Sequence, residues 1–263
     1  MSADDTLDLL RRGTLELQGR LVLASNATFF GAVSLDGESF DCVYKPIRGE
    51  RPLWDFPDGT LAAREVAAYR LSVASGWDLV PPTVMRDGPF GPGMCQRWIE
   101  TDSETELVDL VPVGEVADGW LTVLEAEDAQ GQPVALVHAD DPRLQQMAVF
   151  DAIVNNADRK AGHILPAGAE GLFGVDHGVC FHVDDKLRTV LWGWTGSAIP
   201  DALLDTVRAV AVDAGTGALA AGLGPLLSRR EHSALRERLE MLVRSARFPL
   251  PPPGWPAIPW PPF

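Results

Sequence analysis

The chain has 263 residues, 46% of them hydrophobic and 22% charged, with a formal net charge of −15. That length holds one large domain or two lobes sharing a cleft, with an ample core. The charge works against nonspecific attraction to nucleic acid or an anionic membrane, no apolar run approaches the roughly 20 residues that span a bilayer, and the acidic start MSADDTLDLLRRG lacks the apolar core of a secretory signal.

Residues 5–12 read as a short helix, with an acidic first turn, arginines near its end and Gly13 as its stop. Strand-like runs follow at 15–23, 28–35 and 40–47, the last two joined by the hairpin turn Asp36-Gly37-Glu38. The spacing predicts a helix over 60–75, with Thr60 as N-cap and Gly76 closing it. Pro81-Pro82 forces an extended link to two more strands at 84–86 and 94–99. Residues 1–100 therefore read as a small antiparallel sheet with one helix packed on it. From residue 101 the pattern changes. A hairpin is expected at 120–124 and 133–138, a helix at 142–155, and mostly helix over 201–246, where Leu235, Leu239, Leu242 and Val243 form one stripe. The segment 249–263, PLPPPGWPAIPWPPF, is too proline-rich for helix or central strand and is expected to be extended, with Trp255, Trp260 and Phe263 against the body or a partner. Exposed aromatics invite association, which favours the body.

Cys42, Cys95 and Cys180 lie far apart in apolar runs with no C-x-x-C pair, as expected of reduced core residues in a cytoplasmic protein. From Glu100 to Asp141 there are 12 Asp or Glu and no Lys or Arg. Such a stretch is either a solvated acidic face or a surface that attracts a cationic partner and repels phospholipid headgroups.

The chemistry concentrates in two places. Asp158 falls in a polar turn and Asp176 just before His177-Gly178; two carboxylates so disposed suit phosphoryl transfer, one orienting an attacking hydroxyl, the other holding a divalent ion against nucleotide phosphates. Upstream, Lys45 shares strand parity with Val43 and Ile47, so its ammonium leaves an apolar face and needs an anionic partner. Glu65 is the candidate, on a helical stripe with Leu61, Ala68 and Tyr69; its alternative is pairing with Arg64 or an exposed base. His163, His177 and His182 match no zinc spacing, and no G-x-S-x-G supports hydrolase chemistry.

Taken together, Tyr44-Lys45-Pro46, Ala63-Arg64-Glu65, Gln96-Arg97-Trp98-Ile99, Asn156-Ala157-Asp158-Arg159 and Asp176-His177-Gly178 resemble the atypical branch of the kinase fold, over roughly residues 15–195. That branch holds the phosphatidylinositol 3-/4-kinases, the HipA-type kinases and an actinobacterial family of kinase-like relatives; Pro52-Leu53-Trp54-Asp55-Phe56-Pro57 resembles the last group most. The resemblance implies a bilobal α+β protein: N-lobe 1–100, C-lobe 101–248 and the tail 249–263. It implies ATP as ligand with Mg²⁺ or Mn²⁺. Lys45 would contact the α- and β-phosphates, oriented by Glu65. Ser25, Asn26 and Thr28 would cover the phosphates. Gln96, Trp98 and Ile99 would form the hinge that reads adenine. Asp158 would be the catalytic carboxylate and Asp176 the metal ligand. The acceptor is expected to be a protein hydroxyl or a soluble small molecule rather than an inositol lipid, since the chain has no polybasic segment.

Two departures stand out. His163 takes the place of an asparagine metal ligand, which biases the site toward Mn²⁺, gives a water-mediated contact, or holds Asp176 by a hydrogen bond. The turn over the phosphates lacks a glycine string. A nucleotide-binding pseudokinase and a nucleotidyl (AMP) transferase with ATP reversed are the alternatives these leave open.

Overall fold

The computed structural model describes residues 2–21, 26–56, 60–102 and 104–263. Helix α1 (Ala3–Arg12) starts on a capping box in which Ser2 and Asp5 satisfy each other's amides. Strands β1 (Thr14–Arg20), β2 (Phe29–Leu35) and β3 (Glu38–Pro46) follow, then α2 (Leu61–Ser75), β4 (Thr83–Gly88) and β5 (Gly91–Arg97). They form an antiparallel sheet in the order β1-β2-β3-β5-β4. The β2–β3 turn is the expected one, with Asp36 and Gly37 both at positive φ, as a two-residue hairpin connection requires. The predicted strand over 15–23 pairs only through Arg20, and residues 22–25 lie outside the described residues. The strand predicted to reach 99 leaves the sheet after Arg97.

Alternation along β3 gives the sheet two faces. Cys42 points with Val33, Val84 and Cys95 toward Leu9 and Leu10 of α1. Lys45 lies opposite Met94 in the β3–β5 register, on the face where Met94 packs with Ala62 and Val66 of α2. Helix α2 turns its remaining apolar residues, Ala67, Ala68 and Leu71, into the larger core of the second half. A helix buried on both sides carries no simple amphipathic stripe, which is why its pattern reads as nearly continuous.

The second half begins with β6 (Val108–Pro112), β7 (Trp120–Glu127) and β8 (Pro133–Ala139), a three-stranded antiparallel sheet ordered β6-β8-β7. The hairpin was expected; β6 was not, since five residues ending in proline give a short edge-strand signal. β6 and β7 are exposed or half-buried, and Asp109, Glu125 and Glu127 of the acidic stretch lie on them. Then come α3 (Pro142–Val154), the short pair β9 (Ile164–Pro166) and β10 (Leu172–Gly174), and three helices, α4 (Asp201–Thr216), α5 (Ala218–Leu223) and α6 (Arg229–Ser245). Leu144, Met147, Phe150 and Ile153 of α3 meet Leu204 and Val207 of α4 and Leu235, Leu239 and Leu242 of α6 in one core. The architecture is bilobal α+β, a sheet-based N-lobe on a mainly helical C-lobe. All three cysteines are free and buried. Among the described residues no helix is long and apolar enough to cross a membrane.

The tail runs without regular structure along the C-lobe. Ala257 O accepts from Thr189 N (3.1 Å) and Trp192 Nε1 (2.8 Å), and Pro262 O accepts from Ala161 N (2.8 Å). Packing against the body therefore holds for Trp255, which donates to Lys186 O at 3.2 Å, but Trp260 stands 85% exposed.

Candidate active site

A cavity of about 620 Å³ opens between the lobes, with Asn26, Thr28, Lys45 and Glu65 on the upper side and Asp158, His163 and Asp176 on the lower. The upper wall follows from strand register. Lys45, near the end of β3, donates to Glu65 Oε1 at 2.8 Å and also bonds the Asp176 carboxylate. Glu65 uses its other oxygen to accept from the His177 amide at 2.9 Å, so it faces the cleft rather than Arg64. Burial works against the Lys45 ammonium, but the Asp176 and Glu65 carboxylates more than offset it and raise its pKa. The same attraction holds Asp176 well below the ordinary carboxylate range.

Thr60 occupies the N-cap position of α2 without capping it; its hydroxyl accepts from Arg64 Nε at 3.1 Å. Glu50 caps instead, with one oxygen on Leu61 N (3.2 Å) and the other on Ala62 N (2.8 Å). A carboxylate there also complements the helix dipole.

The lower wall is loop. Helix α3 ends at Asn155, in the left-handed region that asparagine tolerates (φ 53°). Asn156 then donates to Asp151 Oδ1 (3.0 Å) and accepts from the Asp158 amide (3.0 Å), which fixes the start of the Asp158 loop. Arg159 is fully buried. Its guanidinium grips both oxygens of Asp151 at 2.9 Å, donates to His163 O (3.1 Å) and Val175 O (3.2 Å), and meets His177 Nε2 at 2.7 Å. One side chain thus ties α3, the Asp158 loop and the Asp176 loop together. The contact also sets the His177 tautomer: arginine only donates, so Nε2 accepts. A Cβ at Gly174 would lie 2.9 Å from this guanidinium, so the β10 backbone needs glycine there.

Asp158 is flanked by Lys160 Nζ (3.7 Å) and Arg188 Nη2 (3.6 Å), too far for hydrogen bonds. Burial raises its pKa above the ordinary value, against the pull of Lys160, His163 and Arg188. A proton acceptor of raised basicity suits general-base work on a hydroxyl. His163 Nδ1 donates to Asp158 O at 2.9 Å; a carbonyl only accepts, so the neutral ring turns its Nε2 lone pair toward Asp176 Oδ2, 3.4 Å away. Burial lowers the His163 pKa and keeps the ring neutral. Two electron-pair donors facing each other at that distance fit a cation between them, with imidazole favouring Mn²⁺ over Mg²⁺. Among the described residues no group of three or more His, Cys, Asp or Glu side chains converges to hold a metal unaided, so phosphate oxygens and water would complete the shell.

The expected hinge does not reach this cavity. Gln96 Nε2 donates to Thr83 Oγ1 (2.8 Å) in the sheet interior, Trp98 N donates to Asp41 O (2.9 Å), and Ile99 is buried. None of the three lines the space between Lys45 and Asp158. Ser25 lies outside the described residues. Trp54 and Trp255 line the cavity as well, with the Lys186 ammonium 4.4 Å from each ring centroid and 2.7 Å from Asp55 Oδ2. Sequence reasoning missed Glu50, Asp151, Arg188 and Trp255, and gave no role to Lys160. Only Asp151 left a usable trace, a carboxylate on the apolar stripe of α3.

The fold places the chain among atypical protein-kinase-like structures. It is similar to a Golgi casein kinase solved with Mn and ADP bound (TM-score 0.57, 14% identity, covering 93% of this chain and 75% of that one). It is also similar to a hydra Fam20 structure solved with sugar (TM-score 0.54, 14% identity, covering 93% and 88%). The sequence matches no family model. It is 50% identical over 270 residues to Protein Rv2133c of Mycobacterium tuberculosis (strain ATCC 25618 / H37Rv), covering 99% of this chain and 96% of that protein, and the chain belongs to the same family.

Proposed function

We propose that this protein is an ATP-dependent phosphotransferase that moves the γ-phosphoryl group to a hydroxyl of a protein or soluble small molecule in the cytoplasm. The observation that carries the proposal is the meeting of Lys45, Glu65, Asp158, His163 and Asp176 around one inter-lobe cavity. The Mn and ADP in the casein kinase structure favour the same ligands here. Lys45, freed from Asp176 when phosphate arrives and still oriented by Glu65, meets the phosphates, with Asn26 and Thr28 above them. Asp176 and His163 would hold Mg²⁺ or Mn²⁺; when bound, the ion neutralises phosphate charge. Asp158 takes the acceptor proton. Phosphoryl transfer is mostly positioning and charge neutralisation, so few groups suffice. Kinship with the lipid-kinase and HipA branches, and with its actinobacterial members, belongs to the same proposal.

A second reading rests on one observation: Gln96, Trp98 and Ile99 stay out of the cavity while Trp54 and Trp255 line it. A nucleotide bound with its base at the tryptophans presents the α-phosphate to the acceptor and gives nucleotidyl transfer. Incubation with ATP and Mg²⁺ or Mn²⁺, followed by intact-mass measurement of the protein and of candidate acceptors, separates the two by the mass added. Phosphate addition is the expected result. Saturable nucleotide binding without transfer to any acceptor under either metal would leave a pseudokinase.

A further inference from the structure

Neighbouring residues of α2 take different partners. Glu65 turns to the cleft, and Arg64 turns to the C-lobe. Arg64 is buried, and its guanidinium makes contacts on every side. Nη1 donates to Cys180 O at 2.6 Å, Nη2 pairs with Glu231 at the start of α6, Nε donates to Thr60, and the plane stands 4.7 Å over the Phe56 ring. Glu231 has a second task. It is the N3 residue of the α6 capping box, accepting from Ser228 N at 2.7 Å.

The geometry is that of a two-handed grip on one loop. Glu65 accepts from the amide of His177, and Arg64 donates to the carbonyl of Cys180, three residues further on. Flanking these two points are Asp176 and Phe181, both at positive φ (59° and 64°), a conformation that costs non-glycine residues energy and persists only when the surroundings hold it. We infer that Arg64 is a positioning residue that anchors α2 and the Asp176 loop to α6, so that the Lys45–Glu65–Asp176 cluster stands assembled before any ligand arrives. This inference rests on the reading of that cluster as the nucleotide site, and goes beyond it in naming what holds that site together.

Glu231→Gln is the sharpest probe, because glutamine preserves the capping box while removing the charge that faces Arg64. Arg64→Lys is the second: it keeps a charge but loses the fork that reaches Cys180 O and Glu231 together. Hydrogen exchange without nucleotide should quicken by about tenfold in 61–72 and 176–181 of both variants, with α4 unchanged. In the same proteins the apparent Kd for ADP with Mn²⁺ should rise as the inverse of the assembled fraction that remains, about twofold where half of it is lost. Exchange in those two segments equal to the parent overturns the anchoring role, as does faster exchange spread evenly over the whole chain. Should the parent protein bind no nucleotide, the proposed function falls, while exchange measured without ligand still decides whether Arg64 is the anchor.

Discussion

The two walls of the cavity are held by different means. Above, Lys45 belongs to a strand paired on both sides, and the ladder of β2, β3 and β5 aims it. Below, Asp158 and Asp176 hang on loops, and a buried polar knot does the aiming: Asp151, Asn156, Arg159 and His177, all completely shielded from solvent. Where backbone pairing stops, orientation must come from side chains that satisfy stray carbonyls and amides, and burial makes each such bond obligatory. The upper wall tolerates change at the tip of a side chain. The lower wall does not.

Asp151→Ala puts that contrast to its hardest test. It leaves the Arg159 guanidinium buried beside an empty site, and removal of one partner of a buried pair costs about 3–5 kcal/mol. Urea unfolding should show a loss of that order. On the upper wall, Lys45→Met leaves both the Glu65 and Asp176 carboxylates without their cation, but Glu65 keeps its His177 amide bond and Asp176 is half open to solvent, so the smaller penalty of about 1–3 kcal/mol is expected. Equal losses for the two would erase the distinction. Asp158→Asn separates placement from chemistry. It should leave unfolding nearly unchanged while transfer slows by about 10²–10⁴-fold, the usual range for a general base, as read from the rate of mass gain. Transfer at the parent rate would remove Asp158 from its proposed role.

Much of this was legible in the residues. Strand alternation placed Lys45 on its face, and an unaccompanied carboxylate on the stripe of α2 pointed to Glu65 as its partner. Both inferences use local periodicity, which the fold kept. The hinge failed for a reason periodicity cannot report: Trp98 spends its amide on Asp41 of β3 and its ring edge-on against Phe30 of β2, 5.1 Å away, so it stays against the sheet and does not line the cavity. Arg188 and Trp255 converge on the Asp158 side from separate segments, and no spacing in the chain announces a meeting of residues so far apart. Glu50 displaced Thr60 as the cap of α2 because a loop carboxylate can take two amides where a hydroxyl takes one.

The tail carries the mildest form of the same contrast between anchored and free groups. Trp255 has the Lys186 ammonium 4.4 Å from its ring centroid and the Arg188 guanidinium at 5.7 Å, whereas Trp260, five residues on, is almost wholly in solvent. Cation–π contacts at partly exposed sites are worth about 0.5–1 kcal/mol each. Trp255→Leu should therefore lower Tm by about 2–4 °C, the shift that roughly 1 kcal/mol produces in a domain of this size. Trp260→Ala should move stability by less than about 0.5 kcal/mol, as surface substitutions do. Thermal scans at two protein concentrations keep the comparison clean: if Trp260→Ala costs as much as Trp255→Leu only at the higher concentration, Trp260 is covered by a second copy of the chain in solution, and the free end of the tail is an interface.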